Sequence, residues 1–448
     1  MKILHYSLGF PPYRTGGLTK FCMDLMNEQV SKGHKVALLW PGQFKVIDRK
    51  VKIIERKSVG EIQSFEIINP LPVSYDEGIK NVNAYMQPCE DSAFMKFLFK
   101  YNADVIHIHT FMGLHQEFLR AAKKLGVRIV FSVHDYFTIC PKVTLYKNGD
   151  VCRTSEKCEE CVICNKTALS IKKIYLLQSS LYRIIKDSSA VKRIRKNHRN
   201  DFFNDQNKTK GTLLEHDIQS GMSYIRLRQY YAKCLDKIDF VHYNSKNTKM
   251  IFEHFFNVHD SKAITISHSG IKDQKRIKKF SPYFRFTYLG PQGGAKGFFL
   301  LQSALDKMWN DTHGFELNIY FQPDCPSPYM KIHDRYDYSE LSNVMDRTDL
   351  LIVPSIWYET FGYTVLEALS YGVPVLITNR VGAKDILPPG AGIILDDISP
   401  TGLYNCLLNI SMEELIKMNK IIVDEVQIKT MEKMADEIFN ECYFGRQQ

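Results

Sequence analysis

Short apolar strands alternate with amphipathic helices over residues 1–135, and this alternation limits the folds open to the chain. A strand is predicted over residues 2–7, and the helix after it has its apolar side chains on one stripe. Two further apolar strands, at residues 103–109 and 127–133, bracket a helix predicted over residues 114–125. Apolar strands separated by helices indicate a parallel sheet covered on both faces. The alternation therefore predicts an α/β fold.

The chain has 448 residues, more than one hydrophobic core normally fills, so we expect two domains. Strand patterns fade after residue 165 and return at residues 239–243 and 263–267, and a new alternating series starts near Arg285. The expected units are an N-terminal domain (1–265) with a helical, basic insertion (about 165–235), a linker (266–283), a C-terminal domain (284–425) and a final helix (426–448) that packs back toward the N-terminal domain.

The net charge of +10 comes from one segment. Residues 165–235 contain fifteen Lys and Arg against five Asp and Glu, an excess of ten, so the rest of the chain is close to neutral. A local basic block indicates an anionic surface or ligand, not general affinity for nucleic acid. Two interpretations remain open, an anionic membrane that presents a lipid-linked acceptor and a solvated helix that lines a cleft. The start of the chain does not resemble a signal peptide, so we expect a cytoplasmic location, with peripheral contact to the inner membrane face under the first interpretation.

Two glutamates mark the most informative segment, LLIVPSIWYETFGYTVLEALSYGVPVLITN. The pattern predicts a strand over residues 350–354, a loop to Gly362 and a helix over residues 363–371. Glu359 and Glu367 would be about 12 Å apart along a helix, too far for two carboxylates that flank one glycosidic bond at about 5 Å. The pair suits two parts of one long ligand. Unpaired amides near Gly362 would favour a diphosphate at the helix N-terminus.

The segment PSIWYETFGYTVLEALSYGVPV resembles the E-x7-E signature of glycosyltransferase family four. A GG loop, an SKGHKV turn, an ADVIHIH strand and a VHDY segment match the same family in the expected order. The resemblance implies the GT-B fold, with two facing Rossmann-like domains, parallel sheets and a cleft between them. It implies a retaining transferase that moves a sugar from a nucleotide-diphosphate-sugar to a hydroxyl of a glycan or lipid-linked acceptor, without a catalytic cofactor. It also implies a role in surface polysaccharide biosynthesis.

The resemblance assigns residues to the site. Glu359 would hold the donor sugar's hydroxyls, His134 would contact the transferred sugar, and Lys296 would neutralise the departing diphosphate. The expected donor-binding residues are Gly16, Gly17, Thr360, Phe361, Gly362, Tyr363 and Glu367, the last on the ribose.

One feature of the family is missing. Members of the family usually have an arginine, a second cation, at the position that Pro291 occupies in this sequence. The amides of Gly293 and Gly294 are one candidate replacement for it. The turn SHSGIK, residues 267–272, also departs from the family's usual NGVD pattern.

A cysteine cluster follows the VHDY segment. Its spacing, with two cysteines upstream of C-x2-C-x2-C, is typical of a structural zinc site, and we expect four of its five members to bind zinc. The alternative is a set of buried reduced thiols. The five are Cys140, Cys152, Cys158, Cys161 and Cys164.

Two other functions compete with transfer. A GT-B-type sugar-nucleotide epimerase has a similar architecture and would alter the donor without an acceptor. A non-catalytic partner that binds a sugar nucleotide is suggested by Pro291.

Overall fold

The structure is a computed structural model that describes residues 1–45, 47–74, 78–153, 159–186, 188, 189, 191, 193 and 215–444. Much of the predicted basic insertion, including Lys192, Arg195 and Lys196, lies outside these residues, as does Cys158.

The N-terminal sheet has eight strands in the order β10-β9-β6-β5-β1-β2-β4-β3, and all but β3 run parallel. The C-terminal sheet has six parallel strands in the order β13-β12-β11-β14-β15-β16, and β7 and β8 form a separate hairpin. The strands are β1 Lys2–Tyr6, β2 Lys35–Pro41, β3 Lys52–Val59, β4 Ile62–Ile68, β5 Val105–Ile108, β6 Arg128–Val133, β7 Tyr146–Lys147, β8 Asp150–Val151, β9 Phe240–Tyr243, β10 Ser261–Ala263, β11 Phe284–Tyr288, β12 Phe315–Ile319, β13 Met330–Ile332, β14 Leu350–Val353, β15 Val375–Thr378 and β16 Gly392–Leu395.

Helices form most of the connections between parallel strands. In the described residues the helices are α1 Gly17–Ser31, α2 Ser92–Tyr101, α3 Gln116–Lys124, α4 Glu159–Cys164, α5 Ile171–Leu177, α6 Ser180–Ile185, α7 Glu215–Leu235, α8 Lys246–Phe255, α9 Phe298–Asp311, α10 Leu341–Asp346, α11 Tyr363–Ser370, α12 Pro400–Leu408, α13 Met412–Glu425 and α14 Met431–Ile438. Buried apolar side chains of both sheets pack against them and form the cores.

The predicted elements recur with two differences. Sequence patterning did not identify the hairpin of β3 and β4, because β3 is half exposed and carries charged residues. A strand expected over residues 263–267 lies earlier, at β10, where Ser261 to Ala263 pair with β9 at the sheet edge. The apolar residues Ile264 and Ile266 are buried in the core without extending the strand.

The C-terminal segment packs against the N-terminal domain. Lys32, directly after α1, pairs with Asp436 of α14 at 2.8 Å, and Arg128 of β6 donates to the carbonyl oxygen of Cys442. Tyr443 is buried, accepts a hydrogen bond from Gln29 and lies 2.8 Å from Nδ1 of His107. These contacts tie the last described residues to the first domain.

Among the described residues, no helix combines the length and apolar character needed to cross a lipid bilayer.

Removal of the buried Tyr443 hydroxyl tests this packing. We expect Tyr443→Phe to lower the free energy of unfolding by about 1–3 kcal/mol, because Gln29 and His107 each lose a buried partner. Urea unfolding followed by circular dichroism measures the change. Tyr13→Phe, at an exposed tyrosine, is the control. Equal stability of the two variants would show that the buried hydroxyl contributes nothing.

Candidate functional site

Three helix N-termini lie at the carboxyl edges of the two sheets. Helix α1 follows β1, α9 follows β11 and α11 follows β14, and in none of the three does a side chain cap the first turn. Later in the chain, Ser or Thr side chains cap α12, α13 and α14, whereas α10 has no side-chain cap. Uncapped amides at the positive end of a helix dipole are donors for an anion.

Glu359 and Lys296 form an ion pair between two of these loops. Ser355 donates to the other carboxylate oxygen of Glu359 at 2.7 Å, and the Lys296 ammonium lies 4.9 Å from the centre of the Trp357 ring. Both charged side chains are only partly buried. A fixed carboxylate therefore stands beside a cation whose remaining N–H groups can meet a ligand.

Glu367 is buried in the first turns of α11 and is held by His268. His268 Nδ1 accepts a hydrogen bond from the amide of Gly270, so in a neutral ring Nε2 carries the proton and donates to Glu367 at 3.2 Å. His268 belongs to the SHSGIK turn, and its departure from the family's pattern thus places a donor on Glu367. The unusual turn was evident from the sequence, but its contact with Glu367 is seen only in the structure.

Gly17 and Tyr363 lie against each other where the two domains meet. A methyl group built on Gly17 would lie 3.7 Å from the Tyr363 ring, and one on Gly362 would lie 3.8 Å from the Glu359 carboxyl carbon. Gly362 has φ +111°, a conformation that other residues rarely adopt. The Tyr363 ring also contacts the ring of His268. These contacts place the GG loop, both glutamates and the N-terminus of α11 around one crevice.

Thr360 joins the two domains. Its hydroxyl donates to the carbonyl oxygen of His134 at 3.2 Å, and its own carbonyl oxygen accepts from Thr248. The side chain of Phe361, in contrast, is buried in the hydrophobic core, so only its main chain can face a donor.

His134 belongs to a buried chain of hydrogen bonds. The links measure 2.7–3.3 Å, and five of the members are histidines. From the crevice inward the members are Asn244, His134, His109, His5, Gln29, Tyr443, His107, Ser132, His242 and the carbonyl oxygen of Ile264.

The carbonyl oxygen of Ile264 sets the donor-to-acceptor direction of every hydrogen bond in this network. It can only accept, so His242 donates from Nε2 and, as a neutral ring, accepts from Ser132 at Nδ1. The same rule applied link by link leaves His134 with its proton on Nε2, donating to His109, while Nδ1 accepts from Asn244. Both ring nitrogens are in use. A sugar hydroxyl could reach one only by replacing a protein partner.

Burial keeps these histidines neutral. It lowers the pKa of His134 to about 3 and the pKa values of His5 and His242 to about 4, and it holds those of His107 and His109 well below the ordinary value. Neighbouring histidines lower most of these pKa values further. A neutral His134 is not poised to store a proton during a reaction.

Four of the five predicted metal ligands surround one small cavity beside α4. They are Cys140, Cys152, Cys161 and Cys164.

Arg380, which sequence patterning did not single out, lies next to the loop between β14 and α11. Its guanidinium donates to the carbonyl oxygen of Ile356 at 2.6 Å and pairs with Asp150 of β8 at 2.9 Å. The hairpin of β7 and β8 thereby contacts the C-terminal domain.

Two family profiles match the chain. One, described as Glycosyltransferase Family 4, covers residues 15–157, and the other, described as Glycosyl transferases group 1, covers residues 330–422. The chain is 24% identical over 395 residues, 85% of its length and 86% of the relative's, to a Klebsiella pneumoniae protein described as an uncharacterized 42.6 kDa protein in the cps region. It is 29% identical to Sucrose synthase 6 of Arabidopsis thaliana over 143 residues, which are 24% of this chain and only 15% of that protein.

Solved structures share the fold. A UDP-forming trehalose-phosphate synthase of Burkholderia xenovorans, in complex with glucose-6-phosphate, matches with a TM-score of 0.56 at 10% identity, over 98% of this chain and 99% of that one. Anabaena HepE in complex with UDP and glucose matches with a TM-score of 0.53 at 13% identity, over 98% and 99% of the two chains. Both span the two domains, so the architecture is that of the GT-B fold.

The neutral histidine chain predicts acid sensitivity. The unfolded chain binds protons at its histidines as the pH falls through about 6.5, whereas the folded chain does not until about pH 4 or lower. The stability is therefore complete above pH 6.5 and falls below it, by about 1.4 kcal/mol per pH unit for each histidine. Asp135 acts in the opposite direction, because burial raises its pKa to about 6, and offsets about one histidine.

Urea unfolding at pH 7.5, 6 and 5 measures this slope. His242→Gln should reduce the dependence of the unfolding free energy on pH. His259→Gln, at an exposed histidine outside the hydrogen-bond network, should leave it unchanged. A free energy of unfolding that stays constant from pH 7.5 to 5 would contradict the neutral network.

Proposed function

We propose, from the premise that this chain is a glycosyltransferase of family four with the GT-B fold, that it transfers a sugar with retained configuration. The donor would be a nucleotide-diphosphate-sugar and the acceptor a hydroxyl of a glycan or lipid-linked molecule. The observation that carries this proposal is the shared crevice of Glu359, Lys296, Glu367 and the uncapped N-terminus of α11.

The donor would lie along this crevice. The diphosphate would meet Lys296 and the amides of α9 and α11, the sugar hydroxyls would meet Glu359, and the ribose would meet Glu367. Anabaena HepE holds UDP and glucose in the same overall fold, which supports a nucleotide-sugar donor. Ser355 and His268 keep the two carboxylates in place. Each carboxylate thus faces the donor with one side already held, which lowers the ordering cost of binding.

Catalysis would depend on stabilisation of the leaving diphosphate. As the bond from the sugar to the diphosphate breaks, negative charge grows on the phosphate oxygens, and Lys296 and the helix amides stabilise it. The acceptor oxygen attacks the same face of the sugar, and its proton passes to the departing phosphate. The arginine expected at Pro291 is replaced, in this proposal, by the amides of α1 across the crevice, which Gly17 brings beside Tyr363.

His134 would act through position. Its neutral ring fixes the loop whose carbonyl oxygen binds Thr360, so the two domains meet in one register beside Glu359. The predicted contact of His134 with the sugar would require a hydroxyl to replace Asn244 or His109.

An anionic acceptor fits a second cavity at the same edge of the N-terminal sheet. Its volume is about 1630 Å³, and it lies beyond the carboxyl ends of β2 and β4. Apolar residues such as Leu71 and Leu181 line it together with several cations and, among the residues that the structure describes, a single acidic one, Asp48. The lining cations are Lys45, Arg49, Lys80, Lys166, Lys172 and Arg226. This combination suits a lipid-linked phosphate or diphosphate.

The surface beside this cavity supports membrane contact. On α5 and α6, Leu176, Leu181 and Ile184 are 54%, 59% and 80% exposed, next to Lys172 and Lys173. Exposed apolar side chains among lysines favour the interface of an anionic bilayer. We therefore propose action in the cytoplasm at the inner face of the membrane, in surface polysaccharide assembly. The relative from a cps region supports the polysaccharide role.

Replacement of Glu359 tests transfer. A thermal-shift screen of UDP- and GDP-sugars first identifies the donor, which at 100 times its Kd should add about 2.7 kcal/mol of stability. Glu359→Ala should then reduce sugar transfer or donor hydrolysis by at least about a hundredfold, because it removes the sugar contact and releases Lys296. Glu61→Ala, at the exposed turn before β4 and at the opposite edge of the sheet, should leave the rate unchanged.

Three results would contradict the proposal. The first is a Glu359→Ala rate equal to that of Glu61→Ala. The second is a donor that changes configuration without an acceptor, as an epimerase would produce. The third is donor binding by the unaltered chain without turnover across many acceptors.

Vesicle flotation tests membrane contact. The chain should float with vesicles that contain anionic lipid and not with neutral ones, and Leu181→Glu with Ile184→Glu should abolish the binding. Phe99→Glu, at a residue 76% exposed on α2, is the matched control. Equal binding to both kinds of vesicle, or none, would remove the membrane from the proposal.

A further inference from the structure

Four cysteines from three segments meet at one small cavity. Cys140 lies in the loop after β6, Cys152 directly follows β8, and Cys161 and Cys164 lie on α4. The cavity has a volume of about 20 Å³, enough for about one water-sized sphere. We propose that Cys140, Cys152, Cys161 and Cys164 bind one structural Zn²⁺ ion, independently of the donor site.

The ligand set matches zinc. Structural zinc sites use four ligands in a tetrahedron, and four thiolates are a common set. Two of the cysteines have the C-x2-C spacing, and the other two bracket a tight hairpin. Zinc binding converts each thiol to a thiolate and releases its proton to solvent, so four protons leave as four zinc–sulfur bonds form.

Positive side chains around the cavity offset the charge of the cluster. Four thiolates and one Zn²⁺ ion carry a net charge of −2. Lys142, Lys147 and Arg228 line the same cavity together with Glu160, which pairs with Lys147 at 2.6 Å, so the lining carries a net charge of +2. Arg228 donates to the Cys161 sulfur at 3.3 Å and to the carbonyl oxygen of Ile139 at 2.9 Å. Hydrogen bonds of this kind orient metal ligands.

Two other groups of possible metal ligands have their ligand atoms closer together than the four cysteine sulfurs are. In the described residues, one ligand atom each from His5, His107 and His109, and one each from Cys89, His115 and Glu117, lie within 4.8 Å of one another, whereas no three of the four sulfurs meet this limit. The sulfurs must therefore turn inward to reach one ion.

Hydrogen bonds argue against metal at the histidine group. His5, His107 and His109 use both ring nitrogens in the buried network, so none of the three has a lone pair left for a metal. The ring nitrogens of His115 lie 3.3 Å from the carbonyl oxygens of Gln87 and Asn69, and a neutral ring donates to only one of them. The other nitrogen keeps its lone pair, which faces a carbonyl oxygen.

The hairpin between Cys140 and Cys152 gives the ion a role. Val143 and Leu145 have φ of +71° and +54°, conformations that cost about 1–3 kcal/mol each and persist only where the surroundings hold them. The same hairpin pairs Asp150 with Arg380, and a methyl group built on Gly294 would lie 2.6 Å from the Tyr146 hydroxyl. Zinc would hold the hairpin against the loops that we assign to the donor.

Metal analysis of the full chain tests the site. Chain purified without chelator from zinc-supplemented cells, with any tag removed, should contain about one zinc per chain by mass spectrometry. Cys161→Ser and Cys164→Ser should lose most of this zinc. Cys325→Ser, at an exposed cysteine in the other domain, should retain it.

A zinc content far below one per unaltered chain, iron in place of zinc, or equal zinc in Cys161→Ser and Cys325→Ser would overturn the site. If the serine variants do not fold, Co²⁺ exchange into the unaltered chain decides the question. Thiolate-to-cobalt charge-transfer bands support the site, and their absence overturns it. None of these readouts depends on transferase activity.

Discussion

The unpaired amides at three helix N-termini are the constraint on which the site depends. Each parallel strand ends at the cleft and the helix after it begins there, so β1, β11 and β14 direct α1, α9 and α11 toward the same space. Amides at a helix N-terminus that lack a capping side chain favour an anion, although the first amide of α9 already donates to the carbonyl oxygen of Gly293. The helix amides make this region electropositive. The ion pair of Glu359 and Lys296 adds one fixed carboxylate and one fixed cation, which can orient a bound ligand.

The histidine chain links this site to the rest of the N-terminal domain. It runs from Asn244 at the crevice, through His134, to Tyr443 in the C-terminal segment and ends at a backbone carbonyl. Because one acceptor sets the direction of every link, a change at Tyr443 alters the surroundings of His134. The C-terminal segment, which crosses from the second domain to the first, is thereby part of the support of the cleft.

Sequence patterning predicted much of the fold, because apolar strands and amphipathic helices of a parallel sheet have distinct periodicities. It failed at β3, whose charged, half-exposed residues resemble a loop. The motif residues Gly17, Glu359 and Glu367 could be named in advance, whereas Ser355, His268 and Arg380 could not. Their roles arise from contacts between distant segments, and no local pattern marks such contacts. Phe361 shows the converse, since it sits within the motif but packs into the core.

The central claim is that a nucleoside diphosphate binds between the N-termini of α1 and α11. Amide hydrogen exchange followed by mass spectrometry, with saturating UDP or GDP, measures this directly, since bound phosphate protects the amides that it contacts. We predict slower exchange in peptides that cover residues 14–22 and 359–368, with peptides of β3 unchanged. Unchanged exchange in both cleft peptides with both nucleotides, or protection confined to other parts of the chain, would contradict the account.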